Sequence, residues 1–149
     1  MTGVQTGALR ISAALDPAGL QLFEQPCASD DWDANAAVAA VSNVPVMMDE
    51  SIYGLADIDV AGAIAGIGFV KLKLKKLASL DLLREGLARI RARGMRAVLG
   101  DGTSSDLQCW MEACIARTDI DNAGEMNGFL KPKTRLLANP LPFEDGAII

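Results

Sequence analysis

Histidine is absent from the 149 residues of this chain. Its absence excludes Ser-His-Asp and Cys-His catalysis, histidine metal ligands and a histidine general base. Any proton transfer or metal binding by these residues must therefore use carboxylates, lysines and amides.

Cysteines are few, and long apolar runs are missing. Cys27, Cys109 and Cys114 form neither a CxxC pair nor an even set, so no disulfide framework is predicted. No apolar run approaches the ~20 residues that a membrane span needs. The opening residues also lack the basic start and apolar core of a signal peptide. These features predict a cytoplasmic protein without a membrane segment.

A basic surface is lacking too. The formal net charge is −5, and lysines and arginines are spread among acids, which argues against nucleic acid as a partner. Half of the residues are hydrophobic and 22% are charged, which is typical of a globular domain with a real core.

Short apolar segments alternate with helix-compatible segments along the chain. Apolar spacing, helix caps and glycine or proline stops predict strands over 20–24, 44–49, 68–74, 95–100 and 122–127, with helices over 33–42, 56–65, 80–93 and 106–117. A tail rich in proline follows and is expected to be irregular. The predicted fold is therefore α/β, with about five parallel βα units.

The predicted strands end in polar residues. Because parallel strands present their carboxyl ends at one edge, functional groups at every strand end favour part of a TIM (β/α) barrel. An open doubly wound sheet is the rival, but no glycine-rich phosphate loop follows the first strand. Five strands are too few to close an eight-stranded barrel, so we expect a piece of a longer protein or a partner that covers the open edge.

The chemistry available at these strand ends is that of acids and amines. Converging carboxylates suit a hard cation such as Mg²⁺, which prefers oxygen ligands. A lysine close to that cation would have a lowered pKa and could act as a general base. Metal and lysine together suit removal of the proton alpha to a carboxylate, with a stabilised enediolate.

Three motifs carry a resemblance to a known family. LFEQPC (22–27), PVMMDES (45–51) and FVKLK (69–73) resemble successive strands of the enolase superfamily, in its muconate-lactonizing and mandelate-racemase-like branch. The resemblance implies that Glu24 and Asp49 bind Mg²⁺ and that Glu50 supports them from outside the coordination sphere. It also implies a general acid/base at Lys71, with Lys73 as the second candidate.

Two later motifs extend the resemblance. GDG (100–102) and GEMNG (124–128) correspond to strands on which the family presents groups that contact the substrate, which implies such contacts for Asp101, Glu125 and Asn127. The implied substrate is a small-molecule carboxylate. The reaction could be a racemisation, epimerisation, dehydration or cycloisomerisation.

The chain also departs from the family pattern. The family's Lys-x-Lys strand, its first metal-binding Asp and its capping domain are expected upstream of residue 1, so residues 12–149 are interpreted as the C-terminal part of the barrel domain. Residues 1–11 are expected to be non-native or disordered. Without histidine, the Asp–His dyad of the racemase-type subgroup is excluded. We expect the isolated chain to be inactive.

Each candidate residue has a simpler explanation. Glu24 could be a solvated strand-end acid, and Asp49 or Glu50 could cap the next helix. Lys71 and Lys73 could be edge charges that discourage aggregation, and Lys75 and Lys76 are expected to begin a solvated turn. Asp101, Glu125 and Asn127 could belong to turns.

Two other functions stay open at this point. One is a non-catalytic half-barrel that assembles through its open edge, as a homo-oligomer. The other is a TIM-barrel lyase with a Schiff-base lysine at Lys71.

Overall fold

The structure is a computed structural model that describes residues 3–149, with side chains from Thr6 onward. Over most of this range helices and strands alternate as predicted, except that two helices follow one another after the third strand. The elements are α1 (Gly3–Ala14), β1 (Phe23–Glu24), α2 (Trp32–Val41), β2 (Val46–Met48), α3 (Leu55–Gly62), β3 (Ile67–Leu72), α4 (Leu74–Leu77), α5 (Leu80–Ala92), β4 (Arg96–Leu99), α6 (Asp106–Asp119), a 3₁₀ turn (Gly128–Leu130), β5 (Phe143–Glu144) and β6 (Ala147–Ile148).

The first four strands form one parallel sheet in the order β1-β2-β3-β4. Each strand lies beside the next one in sequence, and the direction of growth never reverses. A doubly wound sheet reverses its strand order at a switch point, whereas a barrel adds strands in one direction. The described part of the chain is therefore a partial barrel of α/β type, as predicted.

The predicted fifth strand over 122–127 is wrong in extent. The chain makes a single parallel bridge there, between Gly100 and Glu125, on the free side of β4. Asn122 and Gly124 interrupt the segment, and both residue types are depleted in strands. The bridge keeps the order and direction of a fifth βα unit but not its length.

The tail is more regular than expected. Strands β5 and β6 pair antiparallel around Asp145 and Gly146, which both have positive φ angles of 50° and 82°. Positive φ at both central residues is the geometry of a tight two-residue hairpin, and Asp-Gly is one of its preferred sequences. The sequence signal was therefore present at this turn.

Helix α1 corrects part of the expectation for residues 1–11. Residues 3–11 are helical, so the expected disorder is wrong for them, while Met1 and Thr2 lie outside the described residues. The helix ends at Ala14, shortly before Asp16-Pro17, because proline cannot continue a helix. Asn43 ties this end to the loop before β2, because its amide donates to the backbone oxygens of Ala13 and Leu15. A non-native origin for this segment stays a prediction.

The two faces of the sheet pack against different partners. One face and the helices share a large buried core that includes Val46, Val70 and Leu99. On the opposite face, Met47, Phe69 and Val98 form a smaller apolar cluster. Neighbouring residues on a strand point to opposite faces, so each strand divides its side chains between these clusters.

Helix α5 shows how well the sequence determines the outer layer. Its cap Ser79 accepts a hydrogen bond from the N–H of Leu82, and Leu83, Leu87 and Ile90 are buried against the sheet. These leucine and isoleucine positions have the helical spacing that predicted them. Within residues 3–149, none of the helices has the length and apolarity required to cross a membrane.

We predict that Gly66→Ala destabilises the fold strongly. Gly66 precedes β3 with φ of 88°, and an added Cβ would lie 2.3 Å from the backbone oxygen of Ala39. The steric overlap adds to the ~1–2 kcal/mol of left-handed strain, so we expect a loss of more than about 2 kcal/mol in the free energy of unfolding. Urea denaturation measures it.

Gly19→Ala is the matched control. Gly19 has a similar φ of 79°, but an added Cβ would meet nothing within 4 Å. It should lose only the ~1–2 kcal/mol due to backbone strain. Equal losses in the two variants would contradict the close packing of Gly66 on α2.

Candidate functional site

The site lies on the face of the sheet that carries the smaller apolar cluster. This cluster includes Leu22, just before β1, Met47 on β2 and Phe69 on β3. Two residues further along the chain from each of them stand Glu24, Asp49 and Lys71. Because side chains alternate with a period of two, these polar residues continue the same face toward the carboxyl edge.

Lys71 lies at the centre of the polar residues. Its Nζ is 3.1 Å from Oε1 of Glu24 and 3.6 Å from Oδ2 of Asp49, and it also donates a hydrogen bond to Oε2 of Glu125. The Lys71 side chain is only 8% exposed. The Lys71 side chain fits here because residue 100 is a glycine. A Cβ at Gly100 would lie only 2.7 Å from Cε of Lys71. The structure therefore brings together residues 24, 49, 71 and 125 at one edge.

Asp49 is buried among amines. Its side chain is 1% exposed, and its Oδ2 lies 2.6 Å from Nζ of Lys73. Lys76 donates to Oδ1 at 3.0 Å and to the backbone oxygen of Asp49 at 2.6 Å. A buried carboxylate needs this compensation, because an unpaired one would be costly.

Lys76 was missed by the sequence interpretation. The expectation of a solvated turn is wrong for Lys76, whose side chain is 12% exposed. The reason is α4: one helical turn directly after β3 brings Lys76 back over the strand end. Lys75, on the same turn, is exposed as expected.

The pKa values of the cluster follow from burial and pairing. Burial raises the pKa of Glu24, and Lys71 offsets this only in part. Burial also acts to raise the pKa of Asp49, but hydrogen bonds from Lys73 and Lys76 outweigh it and hold the pKa below its usual range. Burial acts to lower the pKa of Lys71, but its bonds to Glu125 and Glu24 raise it above its ordinary value. Lys71 is therefore held as an ammonium.

Three carboxylates at this edge could hold a cation. Oxygens of Glu24, Asp49 and Glu50 all lie within 4.8 Å of one another. Strand alternation would let only one of Asp49 and Glu50 point inward. However, β2 ends at Met48 and Glu50 lies in the turn beyond it, so Glu50 is not held to the face opposite Asp49. Oxygen donors at this spacing are compatible with Mg²⁺.

Gln25 links the two acidic loops. Its Oε1 accepts from the N–H groups of Asp49 at 3.0 Å and Ser51 at 3.2 Å, and its Nε2 donates to Oγ of Ser51 at 3.0 Å. Gln25 has a positive φ of 35°, which is uncommon for a residue other than glycine. The EQP motif contained this residue, but no spacing rule shows that its amide holds the DES loop.

The remaining predicted residues are placed differently from one another. Asp101 is fully buried, and both of its carboxylate oxygens accept from the N–H of Gly128 at 3.0 and 3.2 Å. It therefore ties two loops together, and its contact with a substrate stays a prediction. Glu125 and Asn127 are exposed at the same edge, where the carboxylate of Glu125 meets Lys71.

Sequence comparison relates this chain to a known family and to two characterised enzymes. The sequence matches the family model described as Enolase C-terminal domain-like over residues 3–149. It is 26% identical over 142 residues to chloromuconate cycloisomerase of Cupriavidus pinatubonensis (strain JMP 134 / LMG 1197), covering 94% of this chain and 38% of that protein. It is 27% identical over 149 residues to muconate cycloisomerase 1 of Rhodococcus opacus, covering 95% and 38%.

Solved structures share the fold. Muconate cycloisomerase from Pseudomonas fluorescens gives a TM-score of 0.82 at 23% identity, over 95% of this chain and 40% of that one. The L-Ala-D/L-Glu epimerase from Bacillus subtilis gives 0.81 at 20% identity, over 93% and 40%. At these identities the similarity concerns the fold alone. The chain spans about two fifths of the length of these relatives.

We predict that Gln25→Ala loosens the acidic loops. The N–H groups of Asp49 and Ser51 would lose their acceptor, and an unsatisfied buried donor costs roughly 1–3 kcal/mol. The urea midpoint should fall accordingly, while Gln21→Ala, at an exposed position nearby, should change the free energy of unfolding by less than about 0.5 kcal/mol. Equal midpoints for the two variants would mean that Gln25 does not hold this loop.

Proposed function

Since this chain belongs to the Enolase C-terminal domain-like family, we propose that it forms part of a Mg²⁺-dependent isomerase or lyase that removes the proton alpha to a carboxylate. One observation carries the proposal. The amine of Lys71 lies within 3.6 Å of carboxylate oxygens of Glu24 and Asp49, so a base and two candidate metal ligands share one small volume.

Glu24 and Asp49 are the proposed metal ligands. Their oxygens, with those of Glu50, form a hard, anionic donor set of the kind that Mg²⁺ prefers. When bound, Mg²⁺ supplies positive charge that stabilises negative charge developing on the substrate carboxylate. Gln25 holds the Asp49 backbone, and Lys73 and Lys76 fix the Asp49 carboxylate.

Lys71 is the proposed general acid/base. Its carboxylate neighbours stabilise the protonated form, so in this arrangement it is poised to give a proton. It can take a proton only when the charge of Glu24 and Asp49 is balanced by a cation other than the ammonium. Nζ of Lys73 lies 2.6 Å from Oδ2 of Asp49. We propose that Lys73 balances the charge of Asp49 while Lys71 gives or takes the proton.

The proposed substrate is a small carboxylate. The curated relatives are named as cycloisomerases, and a structural neighbour is an epimerase, so isomerisation has the most support. Glu125 and Asn127 are exposed at the carboxyl edge of the sheet and are proposed to contact the substrate. Asp101 is proposed to act on the substrate indirectly, through the loop that it holds at Gly128.

Other functions receive less support. A Schiff-base lysine needs a neutral amine, whereas Lys71 is held as an ammonium. Assembly through the open sheet edge, for instance as a homo-oligomer, stays compatible with an enzymatic role. A cytoplasmic location is proposed because Cys27, Cys109 and Cys114 are free cysteines.

We predict that the chain binds Mg²⁺ and that Glu24→Gln and Asp49→Asn weaken this binding by at least about tenfold. Each change removes a negative charge and one candidate ligand oxygen. Isothermal titration of the 149-residue chain measures the dissociation constant. Glu144→Gln, at an exposed acid on β5, is the control and should bind as the unaltered chain does.

Glu50→Gln separates two roles of the third acid. If Glu50 supports the site from outside the coordination sphere, its loss should weaken Mg²⁺ binding less than the loss of Glu24. An equal or larger loss would make Glu50 a ligand. Unchanged binding in both Glu24→Gln and Asp49→Asn would contradict the proposed metal site.

We predict that residues 1–149 alone do not turn over substrate, because the family's Lys-x-Lys strand and first metal-binding Asp are not among the motifs found. Muconate consumption and epimerisation of L-Ala-L-Glu, with Mg²⁺ present, should match a Lys71→Met control. Turnover by the unaltered chain that disappears in Lys71→Met would overturn this prediction.

A further inference from the structure

A buried carboxylate lies behind the site on α6. Glu112 is 0% exposed, and its Oε1 accepts hydrogen bonds from the N–H of Leu74 at 2.6 Å and from Nε2 of Gln108 at 3.3 Å. Its Oε2 has no hydrogen-bond partner among residues 3–149. Burying a carboxylate oxygen without a hydrogen-bond partner lowers the stability of the fold. The presence of Glu112 in the core therefore needs an explanation.

The bond to Leu74 links Glu112 to the site. Leu74 is the first residue of α4, and the preceding Lys73 makes no side-chain cap. The first N–H groups of a helix lack partners within the helix, so Glu112 supplies the missing acceptor from another element. The segment that it anchors carries both Lys73 and Lys76, whose amines hold Asp49.

We propose that Glu112 is a positioning residue that sets the Mg²⁺ affinity of the site, by anchoring the backbone that carries Lys73 and Lys76. This inference rests on the proposed function, since it assumes that Asp49 binds the metal. Lys76 donates hydrogen bonds to both the backbone oxygen and the carboxylate of Asp49. An α4 that is held in place therefore orients Asp49, the proposed metal ligand. Loss of the anchor should leave Asp49 less well oriented.

The anchor should respond to pH. Burial raises the pKa of Glu112 to about 7, and the charge of Asp101 adds to this, while the Leu74 bond, Gln108 and Lys75 oppose it. Cys109, one turn away on α6, also titrates. Burial raises the pKa of its thiol, and the charge of Glu112 adds to this. An ionised carboxylate is a stronger acceptor than a neutral one, so the anchor is strong above pH 7 and weakens as pH falls through 7.

Glu112→Gln tests this inference. The amide keeps a neutral acceptor at every pH, so it mimics the protonated acid. At pH 8.5 the unaltered chain should bind Mg²⁺ about fivefold more tightly than Glu112→Gln, the fold-change expected for a loss of about 1 kcal/mol. At pH 5.5 the ratio should approach one. The titration of Glu24 is common to both proteins and cancels in the ratio.

A second measurement does not need the metal. Amide hydrogen exchange at Leu74, corrected for the intrinsic rate at each pH, should be faster in Glu112→Gln than in the unaltered chain at pH 8.5 and equal at pH 5.5. Glu112→Leu should exchange faster at both. A ratio of affinities or of exchange rates that does not change with pH would overturn the inference, since a purely structural role of Glu112 gives that result.

The two measurements separate this inference from the proposed function. If the unaltered chain binds no Mg²⁺, the proposed function and the effect on affinity both fail. The exchange at Leu74 then still decides whether Glu112 anchors α4.

Discussion

The buried charge of Asp49 is the interaction on which the rest of the site depends. A carboxylate that is 1% exposed is stable here because Lys73 and Lys76 pair with it directly and Lys71 lies 3.6 Å away. These lysines come from β3 and from the turn that follows it, so the sheet and α4 must both form before the charge is compensated. The same grouping of acids and amines is what the proposed metal-assisted proton transfer needs, so one cluster would serve both the fold and the proposed chemistry.

The period of the strands explains how the cluster forms. Leu22, Met47 and Phe69 belong to the small apolar cluster, and the candidate site residues Glu24, Asp49 and Lys71 follow them at a distance of two in sequence. Parallel strands in sequential order then bring these positions to one edge. This geometry is regular, so spacing predicts that acids and lysines meet at this edge. The choice of Asp49 over Glu50 and of Lys71 over Lys73 came from the resemblance to the family's motifs.

Other parts of the site depend on local geometry that spacing does not determine. Lys76 reaches Asp49 because four residues form a helical turn after β3, and a run of Lys and Leu residues is equally compatible with a solvated loop. Gln25 and Glu112 act through backbone N–H groups that are distant in sequence, so no motif shows their partners. The segment around Glu125 was predicted as a strand, but Gly124 and Asn122 reduce it to one bridge that still delivers the carboxylate to Lys71.

A crystal structure of the chain soaked with Mn²⁺, a scattering substitute for Mg²⁺, tests the metal site most directly. We expect an anomalous peak in contact with carboxylate oxygens of both Glu24 and Asp49, with the Lys71 amine beside it. A well-ordered site without such a peak at millimolar Mn²⁺, or a peak away from these two residues, would rule out metal binding by these two carboxylates.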